Sequence, residues 1–221
     1  MTLNVKVFGL STLALGLGVV FASTDPRMPG NDRGYAPVQP IAFSHRVHVG
    51  ELAIDCQYCH SGARRSRHAG VPAVSVCMNC HNVVKAAYDD VLTEKDMAKA
   101  AGRDPKPIVS PELMKLYAAQ GLDENLQPIP GATPRPVEWV RVHDLPDFAY
   151  FDHRPHVARK IACETCHGPV QTMERMEQFS DLSMGWCIQC HRSNALSGEG
   201  FVEHGPRAAD HVSTNCVSCH L

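Results

Sequence analysis

All ten cysteines of this 221-residue chain belong to one motif, C-x-x-C-H, which occurs five times. The motifs are Cys56, Cys59 and His60; Cys77, Cys80 and His81; Cys163, Cys166 and His167; Cys187, Cys190 and His191; and Cys216, Cys219 and His220. Because a histidine follows the second cysteine every time, that histidine is part of the motif. Whatever fold the chain adopts has to hold five copies of this chemical group.

Three chemistries use paired cysteines: disulfides, zinc and covalently bound haem. A zinc site made of cysteine pairs takes two pairs for each metal, and five is an odd number of pairs. Disulfides within each motif would be redox-active and would leave the histidine unexplained. Haem c uses every member, because the thiols bond to the porphyrin and the histidine binds its iron. The sequence therefore predicts five covalent haem c groups, with the ten cysteines as attachment sites and the five motif histidines as proximal iron ligands.

The composition sets the fold class. Aromatic residues make up only 6% of the chain, and glycine and proline contribute 16 residues each. Residues 25–221 supply about 40 residues for each haem, far fewer than an ordinary domain has. We therefore predict a mostly α-helical and irregular fold that is organised by its haems and has little or no sheet. The formal charge of −2 excludes the strongly basic surface of a nucleic-acid-binding protein.

The chain contains an internal repeat. The run FSHRVHV at residues 43–49 recurs as FDHRPHV at residues 151–157, and two motifs follow each copy. This repetition indicates two copies of a two-haem module, with the fifth haem on a C-terminal extension. The predicted divisions are an N-terminal anchor or uncleaved signal at 1–24, a first two-haem module at 25–82, a helical insert and proline-rich linker at 83–137, a second two-haem module at 138–197, and a fifth-haem segment at 198–221.

Each repeat carries two histidines three residues apart, His45 and His48 in the first and His153 and His156 in the second. On a helical turn, residues at this spacing point the same way. An iron atom takes its two axial ligands from opposite sides, so the two histidines of a repeat serve two neighbouring haems. We predict that His45 and His153 are distal ligands within their own module, and that His48 and His156 reach a neighbouring haem. The arginine between them, Arg46 or Arg154, pairs with a haem propionate or is solvated surface charge.

A fifth distal ligand is also needed. We favour His143, which lies just before the Leu145-Pro146 stop. The alternatives among histidines are His68, His204 and His211. Methionine is the rival ligand type, and the candidates are Met173, Met176 and Met184. A methionine ligand would raise the potential of its haem, whereas the other interpretation is that these side chains fill gaps against the porphyrins.

The N-terminal region is apolar. Val7 to Thr24 is an uncharged run of 18 residues between Lys6 and Asp25. This length lies between that of a signal-peptide core and that of a spanning helix. We predict a single-pass transmembrane anchor at 1–24, with a cleaved signal peptide as the alternative. Haem c is attached outside the cytoplasmic membrane, so residues 25–221 are expected on its extracytoplasmic, periplasmic face.

The insert between the modules is predicted to be helical. Apolar residues at helical spacing indicate a helix directly after the second motif. These residues are Val84, Ala87, Tyr88 and Val91. A second helix is expected from an N-cap at Ser110 to a stop at Gly121. Four prolines between residues 128 and 136 then predict an extended linker.

Several runs together carry a family resemblance. They are the repeated F-x-H-R-x-H-V, VCMNCH at 76–81, VHDLPD at 142–147 and MGWCIQCHR at 184–192. The chain resembles the pentahaem cytochrome c subunit of alternative complex III over about residues 35–82 and 137–221 and in its membrane segment. The resemblance implies a non-catalytic electron-transfer subunit of a membrane quinol:acceptor oxidoreductase in a respiratory or photosynthetic chain. It further implies an iron–sulfur subunit and polytopic quinol-binding subunits as partners. The implied electron acceptor is a periplasmic cytochrome c or copper protein, or a terminal oxidase.

Two other functions are open at this stage. A catalytic multihaem reductase, for example of nitrite type, needs one iron with an open coordination position. A soluble haem shuttle needs removal of about the first 22 residues as a signal peptide. The chain has eight histidines outside its motifs, which is more than five distal positions require. This surplus favours fully ligated haems that pass electrons by hopping from one to the next, with no catalytic residue.

Overall fold

The computed structural model describes residues 32–192 and 214–220 of the chain, which are helical and irregular. The α-helices are α1 (Cys56–Cys59), α2 (Val74–His81), α3 (Tyr88–Ala100), α4 (Pro111–Ala119), α5 (His153–Ala158), α6 (Glu164–His167) and α7 (Met184–Arg192). A π-helical turn covers Arg46–Glu51, and 3-10 turns cover Ser61–Arg64, Val170–Thr172 and Cys216–Ser218. Extended pairing in these residues is limited to isolated bridges of Leu122 with Pro128 and of Ala149 with His220. The predicted helical and irregular fold without a sheet is therefore confirmed for the described chain.

No helix within residues 32–192 and 214–220 has the length and apolar character needed to cross a membrane. The predicted anchor at 1–24 lies outside the described residues. The same is true of His204 and His211, two of the alternative distal ligands.

The two repeats pack on each other reciprocally. The turn Arg46–Glu51 of the first repeat packs on Val170–Thr172, which follows the third motif. Helix α5 of the second repeat packs on Ser61–Arg64, which follows the first motif. Each repeat helix therefore rests on the segment that follows the first motif of the other copy, and the two copies are related by an approximate two-fold axis.

Backbone hydrogen bonds join the copies in the same reciprocal way. The amide of Arg46 donates to the carbonyl of Met173 at 2.9 Å, and the amide of His153 donates to the carbonyl of Arg67 at 3.2 Å. Gly50 allows the first of these contacts to be close, because a Cβ atom there would lie 2.3 Å from the carbonyl oxygen of Gln171. The docking of the two modules thus depends on backbone approach as well as on side chains.

Side-chain caps fix the starts of the short helices. Asp55 accepts a hydrogen bond from the amide of Gln57 at 2.8 Å, which starts α1. Asp152 caps α5 in the equivalent way, through the amide of Arg154 at 2.9 Å. These caps matter because helices of four to six residues have little stability of their own.

The insert helices agree with the prediction in part. Ser110 caps α4 by accepting from the amide of Leu113 at 3.2 Å, and Gly121 has the positive φ of +70° that ends the segment, as predicted. The prediction that Val84 belongs to the first helix is wrong, because α3 begins only at Tyr88. The amide of Val84 donates instead to the carbonyl of Cys80 at 2.9 Å, in the turn that ends α2.

The buried core is small and lies between α2 and α4. It consists of Ile41, Val74, Leu116 and Tyr117. Tyr117 is completely buried, and its hydroxyl donates to the carbonyl of His81 at 2.6 Å. The insert is therefore packed against the helix that carries the second motif.

The proline-rich segment is irregular but attached to the insert. The amide of Ile129 donates to the carbonyl of Gly121 at 2.8 Å, and the amide of Arg135 donates to the carbonyl of Ala119 at 2.9 Å. The predicted linker thus runs along the end of α4 before it enters the second module.

Candidate haem centres

The motifs lie on short helical segments. In the first, third and fifth, the histidine amide donates to the carbonyl of the first cysteine. The N···O distances are 2.9 Å for His60 to Cys56, 3.0 Å for His167 to Cys163 and 2.9 Å for His220 to Cys216. One helical turn brings residues three apart to the same side, so both thiols of a motif face one space. All ten cysteines lie in the described ranges, and none of them forms a disulfide.

Three motif histidines face a histidine of the repeats. The ring centres are 6.1 Å apart for His48 and His81, 6.4 Å for His153 and His167, and 6.2 Å for His156 and His191. A metal held between two histidine nitrogens, each about 2 Å away, puts the ring centres about 6 Å apart. The three separations therefore fit a single metal atom between the rings.

A fourth pair involves His45 and His60. Burial first, and then the nearby charges of His60 and His48, lower the pKa of His45 to about 4. His45 is thus half-buried near the first motif.

The pairs follow the internal repeat. The first histidine of each repeat, His45 or His153, lies beside the first motif of its own copy. The second histidine, His48 or His156, lies beside the second motif of that copy. The structure therefore brings each of the four repeat histidines to a different motif, while iron ligation by these residues stays a prediction.

The ring nitrogens are oriented by backbone carbonyls. The Nδ1 contacts are His48 to Ser44 (2.8 Å), His60 to Gly70 (2.6 Å), His81 to Val84 (2.9 Å), His153 to Arg67 (2.8 Å), His156 to Asp152 (2.8 Å) and His220 to Phe148 (3.2 Å). A carbonyl only accepts, so Nδ1 carries the proton in each of these rings. The lone pair then lies on Nε2, which is the arrangement typical of metal-binding histidines.

Burial keeps several histidine rings near the motifs neutral. It lowers the pKa of His167 to about 3, with the nearby His143 as the next cause. Burial followed by the charge of His153 lowers the pKa of His143 to about 4. Burial also lowers the pKa of His156. At neutral pH these rings are uncharged, which is the form that binds a metal.

Within each copy, the two motifs lie side by side. Burial, and then the charge of Cys77, raises the pKa of Cys59 in the first copy. In the second copy, burial and then the charges of Cys190 and Cys187 raise the pKa of Cys166 to about 11. The second cysteine of each first motif, Cys59 or Cys166, therefore lies beside the second motif of its copy.

The two copies meet at their first motifs. Burial, and then the charge of Cys56 and a hydrogen bond with it, raise the pKa of Cys163 to about 11. At the far end, burial and then the charge of Cys219 raise the pKa of Cys187. The motifs are therefore contiguous in the order second, first, third, fourth and fifth, which differs from their order along the chain.

His143, the predicted fifth distal ligand, lies beside the third motif. Its Nε2 atom is 3.2 Å from Nδ1 of His167, and the two rings are nearly perpendicular, with centres 4.5 Å apart. His220 of the fifth motif stacks on Phe148, with ring centres 5.9 Å apart. Sequence reasoning missed the contact between His143 and His167, and no spacing signal identifies it. Ligation of an iron atom by His143 stays a prediction.

The other candidate ligands differ in exposure. His68 is exposed, and Met184 has 64% of its surface exposed. Met176 is half-buried, whereas Met173 is buried against the turn of the first repeat. The backbone carbonyl of Met173 is engaged by Arg46 there.

Arg46 and Arg154 are engaged with carboxylates of the chain itself. Arg46 pairs with Glu51 of its own turn and with Glu174 of the second module. Arg154 pairs with Asp152 at 2.5 Å, and its guanidinium holds the pKa of that carboxyl well below its ordinary value. The partnership of Arg46 with Glu174 links the two modules and was not anticipated from the sequence.

One buried atom indicates that the site is built for an additional group. Nδ1 of His45 is buried and has no hydrogen-bond partner among the described residues. The equivalent atom of His153 has the carbonyl of Arg67. Buried polar atoms in native proteins are normally paired. A bound porphyrin with carboxylate side groups, or a water held with it, suits this position.

The chain has recognisable relatives. Residues 41–102 and 149–221, more than half of the chain, match the family described as cytochrome c7 and related cytochrome c. The chain is also similar to "Menaquinone reductase, multiheme cytochrome c subunit" of Nitratidesulfovibrio vulgaris strain Hildenborough, with 28% identity over 187 residues. That alignment covers 82% of this chain and 67% of the relative. The two matched segments contain all five motifs and both repeats, and the chain therefore belongs to the family of cytochrome c7 and related cytochromes c.

Proposed function

We propose that this chain is a pentahaem electron-transfer subunit of a membrane quinol:acceptor oxidoreductase. As a member of its family it is a multihaem cytochrome c that binds haem c covalently and transfers electrons. The proposal adds the number of haems, their ligands and the kind of complex. It depends above all on one observation, the separation of about 6 Å between motif and repeat histidines, which suits an iron atom held from both sides.

The proposed ligand set follows the pairs. The five motif histidines are the proximal ligands, and the distal ligands of the first four haems are His45, His48, His153 and His156. Bound haem c supplies a one-electron couple at its iron. Backbone carbonyls on Nδ1 orient six of these rings, and burial lowers the pKa of His45, His156 and His167, so these residues would hold an iron from both sides. For the fifth haem, the sequence favours His143, and the alternatives are His68, His204, His211, Met173, Met176 and Met184.

The proposed organisation is two two-haem modules, at 25–82 and 138–197, with the fifth site at 198–221. The contacts between cysteines support a single row of sites whose ends are the second and fifth motifs. We propose that redox partners approach these two ends. The insert at 83–137 packs beside the second motif and places additional surface at that end.

The kind of complex is supported by resemblance. The chain resembles the pentahaem subunit of alternative complex III, and its relative is named as a subunit of a menaquinone reductase. Both names concern an enzyme that reacts with a membrane quinone. We propose a single-pass anchor at 1–24 and a haem region on the periplasmic face. The proposed partners are an iron–sulfur subunit, polytopic quinol-binding subunits, and a periplasmic acceptor or terminal oxidase.

The haem count and ligation are tested on the purified holoprotein. A pyridine haemochrome assay is expected to give five haems for each chain, and electron paramagnetic resonance is expected to show only low-spin ferric haem. Carbon monoxide should bind the reduced protein slowly and substoichiometrically. Rapid binding of one equivalent would favour a catalytic reductase, since that chemistry needs an open iron position.

The complex is tested in membranes. The haems should be reduced by added menaquinol and reoxidised by a periplasmic acceptor, and the protein should stay in the membrane after a high-salt wash. Haems that pass electrons only from a periplasmic donor to menaquinone would contradict quinol oxidation. A mature protein that lacks about the first 22 residues and is found in the soluble fraction would contradict the anchor and favour a haem shuttle.

A further inference from the structure

We propose that His143 is a positioning residue for His167, and that it lowers the potential of the third haem. It does so by accepting a hydrogen bond at Nε2 from Nδ1–H of His167. This inference rests on the proposed ligation of the third haem by His167 and His153. It assigns His143 a function other than that of a distal ligand, which leaves His68, His204 and His211 as the histidine candidates at the fifth haem.

The geometry defines the donor and the acceptor. The ring of His167 is almost parallel to that of His153, with an interplanar angle of 4° and a centre separation of 6.4 Å. That separation leaves room for a metal between the rings, and the proposed ligation uses Nε2 of His167 because Nδ1 faces His143. The other nitrogen, Nδ1, then carries the proton, because a neutral imidazole has one N–H group. Nε2 of His143 lies 3.2 Å from it, and the rings meet edge to face at 83°.

The backbone holds His143 in this position from both sides. Three residues before it, Val140 and Gln39 are joined by two hydrogen bonds of 2.9 Å, from the Gln39 side-chain amide to the carbonyl and from the Val140 amide to Gln39 Oε1. Three residues after it, the carbonyl of Pro146 accepts from the amide of Ala149 at 2.8 Å. The His143 ring is half-buried. A residue anchored in this way presents its acceptor in a fixed direction.

The approximate two-fold axis offers a built-in comparison. His60, which occupies the place of His167 in the first copy, has the backbone carbonyl of Gly70 on its Nδ1 at 2.6 Å. The third motif has an imidazole nitrogen instead. An imidazole is the stronger base, so it draws the proton further from His167 and strengthens that ring as a donor to ferric iron. A stronger donor favours the oxidised state and lowers the potential.

The contact of His143 with His167 lies at the centre of the proposed row of haem sites. The first and third motifs are the two that meet between the copies. The two central sites already differ at the repeat histidine, because Nδ1 of His153 contacts the carbonyl of Arg67 and Nδ1 of His45 has no partner among the described residues. His143 adds a second difference at the motif histidine, and every electron that moves between the halves of the molecule encounters it.

The test compares two variants of the full-length holoprotein. In His143→Phe the ring keeps its bulk but has no acceptor nitrogen, and in His143→Gln the amide oxygen still accepts. For His143→Phe we expect one haem to become about tenfold easier to reduce, which is an increase of about 59 mV for one electron. His143→Gln should show a smaller shift of the same haem in the same direction. Both variants should keep five low-spin haems, and the low-spin resonance of one haem should move in His143→Phe.

Each other result overturns the inference. A high-spin haem in His143→Phe would show that His143 is itself an iron ligand. Unchanged potentials, or equal shifts in both variants, would show that the ring only fills space. If His143→Phe loses haem, His143→Gln is compared with the wild type instead. A small increase in the potential of one haem supports the inference, and an unchanged potential overturns it. A wild-type protein whose third haem is not low-spin would instead contradict the proposed function.

Discussion

At the scale of single residues, the chemistry depends on how the two nitrogens of each imidazole are used. A backbone carbonyl on Nδ1 leaves Nε2 to face the space beside a partner ring, as in His48 and His156. The ring can then act as a ligand without reorganising when the metal binds. The residues that supply these carbonyls contribute through their backbone, so substitution of their side chains should matter less than substitution of the histidines.

Replacing His156 should therefore affect one haem of the five. On the proposed ligation, His156→Ala would remove the distal ligand of the fourth haem and leave a five-coordinate, high-spin iron. We expect about one-fifth of the haem to bind carbon monoxide rapidly, since the proposed set has five haems. Stopped-flow spectroscopy and electron paramagnetic resonance measure this.

His68→Ala is the matched control, because His68 is exposed and lies in none of the four pairs. It should keep all haems low-spin. A high-spin haem in His68→Ala, or a fully low-spin His156→Ala, would contradict the proposed ligand set.

The candidate site was predictable where its residues recur in the sequence. The repeated F-x-H-R-x-H placed His45 and His153, with their partners three residues on, in equivalent positions, and helical spacing assigned them to different sites. The contact of His143 with His167 was not predictable. These residues are 24 positions apart and are brought together by the packing of an irregular segment, which has no periodic pattern.

At the scale of elements, the structure depends on short helices that are stabilised by caps and by each other. The turn Arg46–Glu51 and helix α5 have six residues each, and each packs on the opposite copy. Isolated helices of this length are unstable in water. The repeat histidines are therefore held in place only when these two helices are packed on the opposite copy.

Gly50→Ala should disrupt this docking. The new Cβ atom would lie 2.3 Å from the backbone oxygen of Gln171, so the turn has to move away from the second module. We expect a loss of about 1–3 kcal/mol of stability, as for an overpacked core, together with a change at the first or second haem. Thermal unfolding and the low-spin resonances measure these effects.

Leu52→Ala is the matched control, because Leu52 follows the same turn and is 62% exposed. Its effect should stay within about 0.5 kcal/mol, as for ordinary surface substitutions. Equal effects of the two substitutions would show that the close approach at Gly50 is not what holds the modules together.

Tyr117→Phe tests the packing of the insert against the second motif. The variant keeps the buried ring but removes the hydroxyl that donates to the carbonyl of His81 at 2.6 Å. We expect a loss of about 1 kcal/mol, the usual net value of one hydrogen bond. Chemical or thermal unfolding measures it, and Tyr88→Phe is the control because Tyr88 is 73% exposed. A Tyr117→Phe protein as stable as the control would contradict this contribution.

Element boundaries were predictable where local chemistry decides them. Ser110 before a proline and Gly121 at a positive φ mark α4 in the sequence and in the structure alike. The start of α3 was misplaced by the apolar spacing of Val84. The amides of Val83 and Val84, which follow α2, donate hydrogen bonds to the carbonyl of Cys80. This hydrogen-bonded turn outweighs the helical spacing of the apolar residues.

At the scale of the whole molecule, the order of the motifs in space differs from their order in the chain. The central sites are the first and third, and the fifth lies at an end. The fold class was predictable from composition and motif density. The spatial order was not, because it depends on reciprocal contacts between segments about one hundred residues apart, which leave no local signal.

The spatial order predicts unequal effects of removing haems. Replacing Cys216 and Cys219 by alanine should leave a folded protein with four haems, since the fifth site adjoins the fourth at one end of the row. Replacing Cys56 and Cys59 should lower the yield and the content of all haems, because the first site adjoins both the second and the third. Haem stoichiometry and circular dichroism of the purified variants measure this. Similar losses in both variants would contradict the central position of the first site.

The reciprocal packing of the two copies also bears on the history of the chain. When each half rests on the other in the same way, the arrangement is that of a symmetric homodimer whose subunits have been joined end to end. An ancestral half-length polypeptide with two cofactors could assemble with a copy of itself and already contain four. Joining two such copies in one chain would let each half change separately, and corresponding positions do now differ, as Gly50 and Ala158 show.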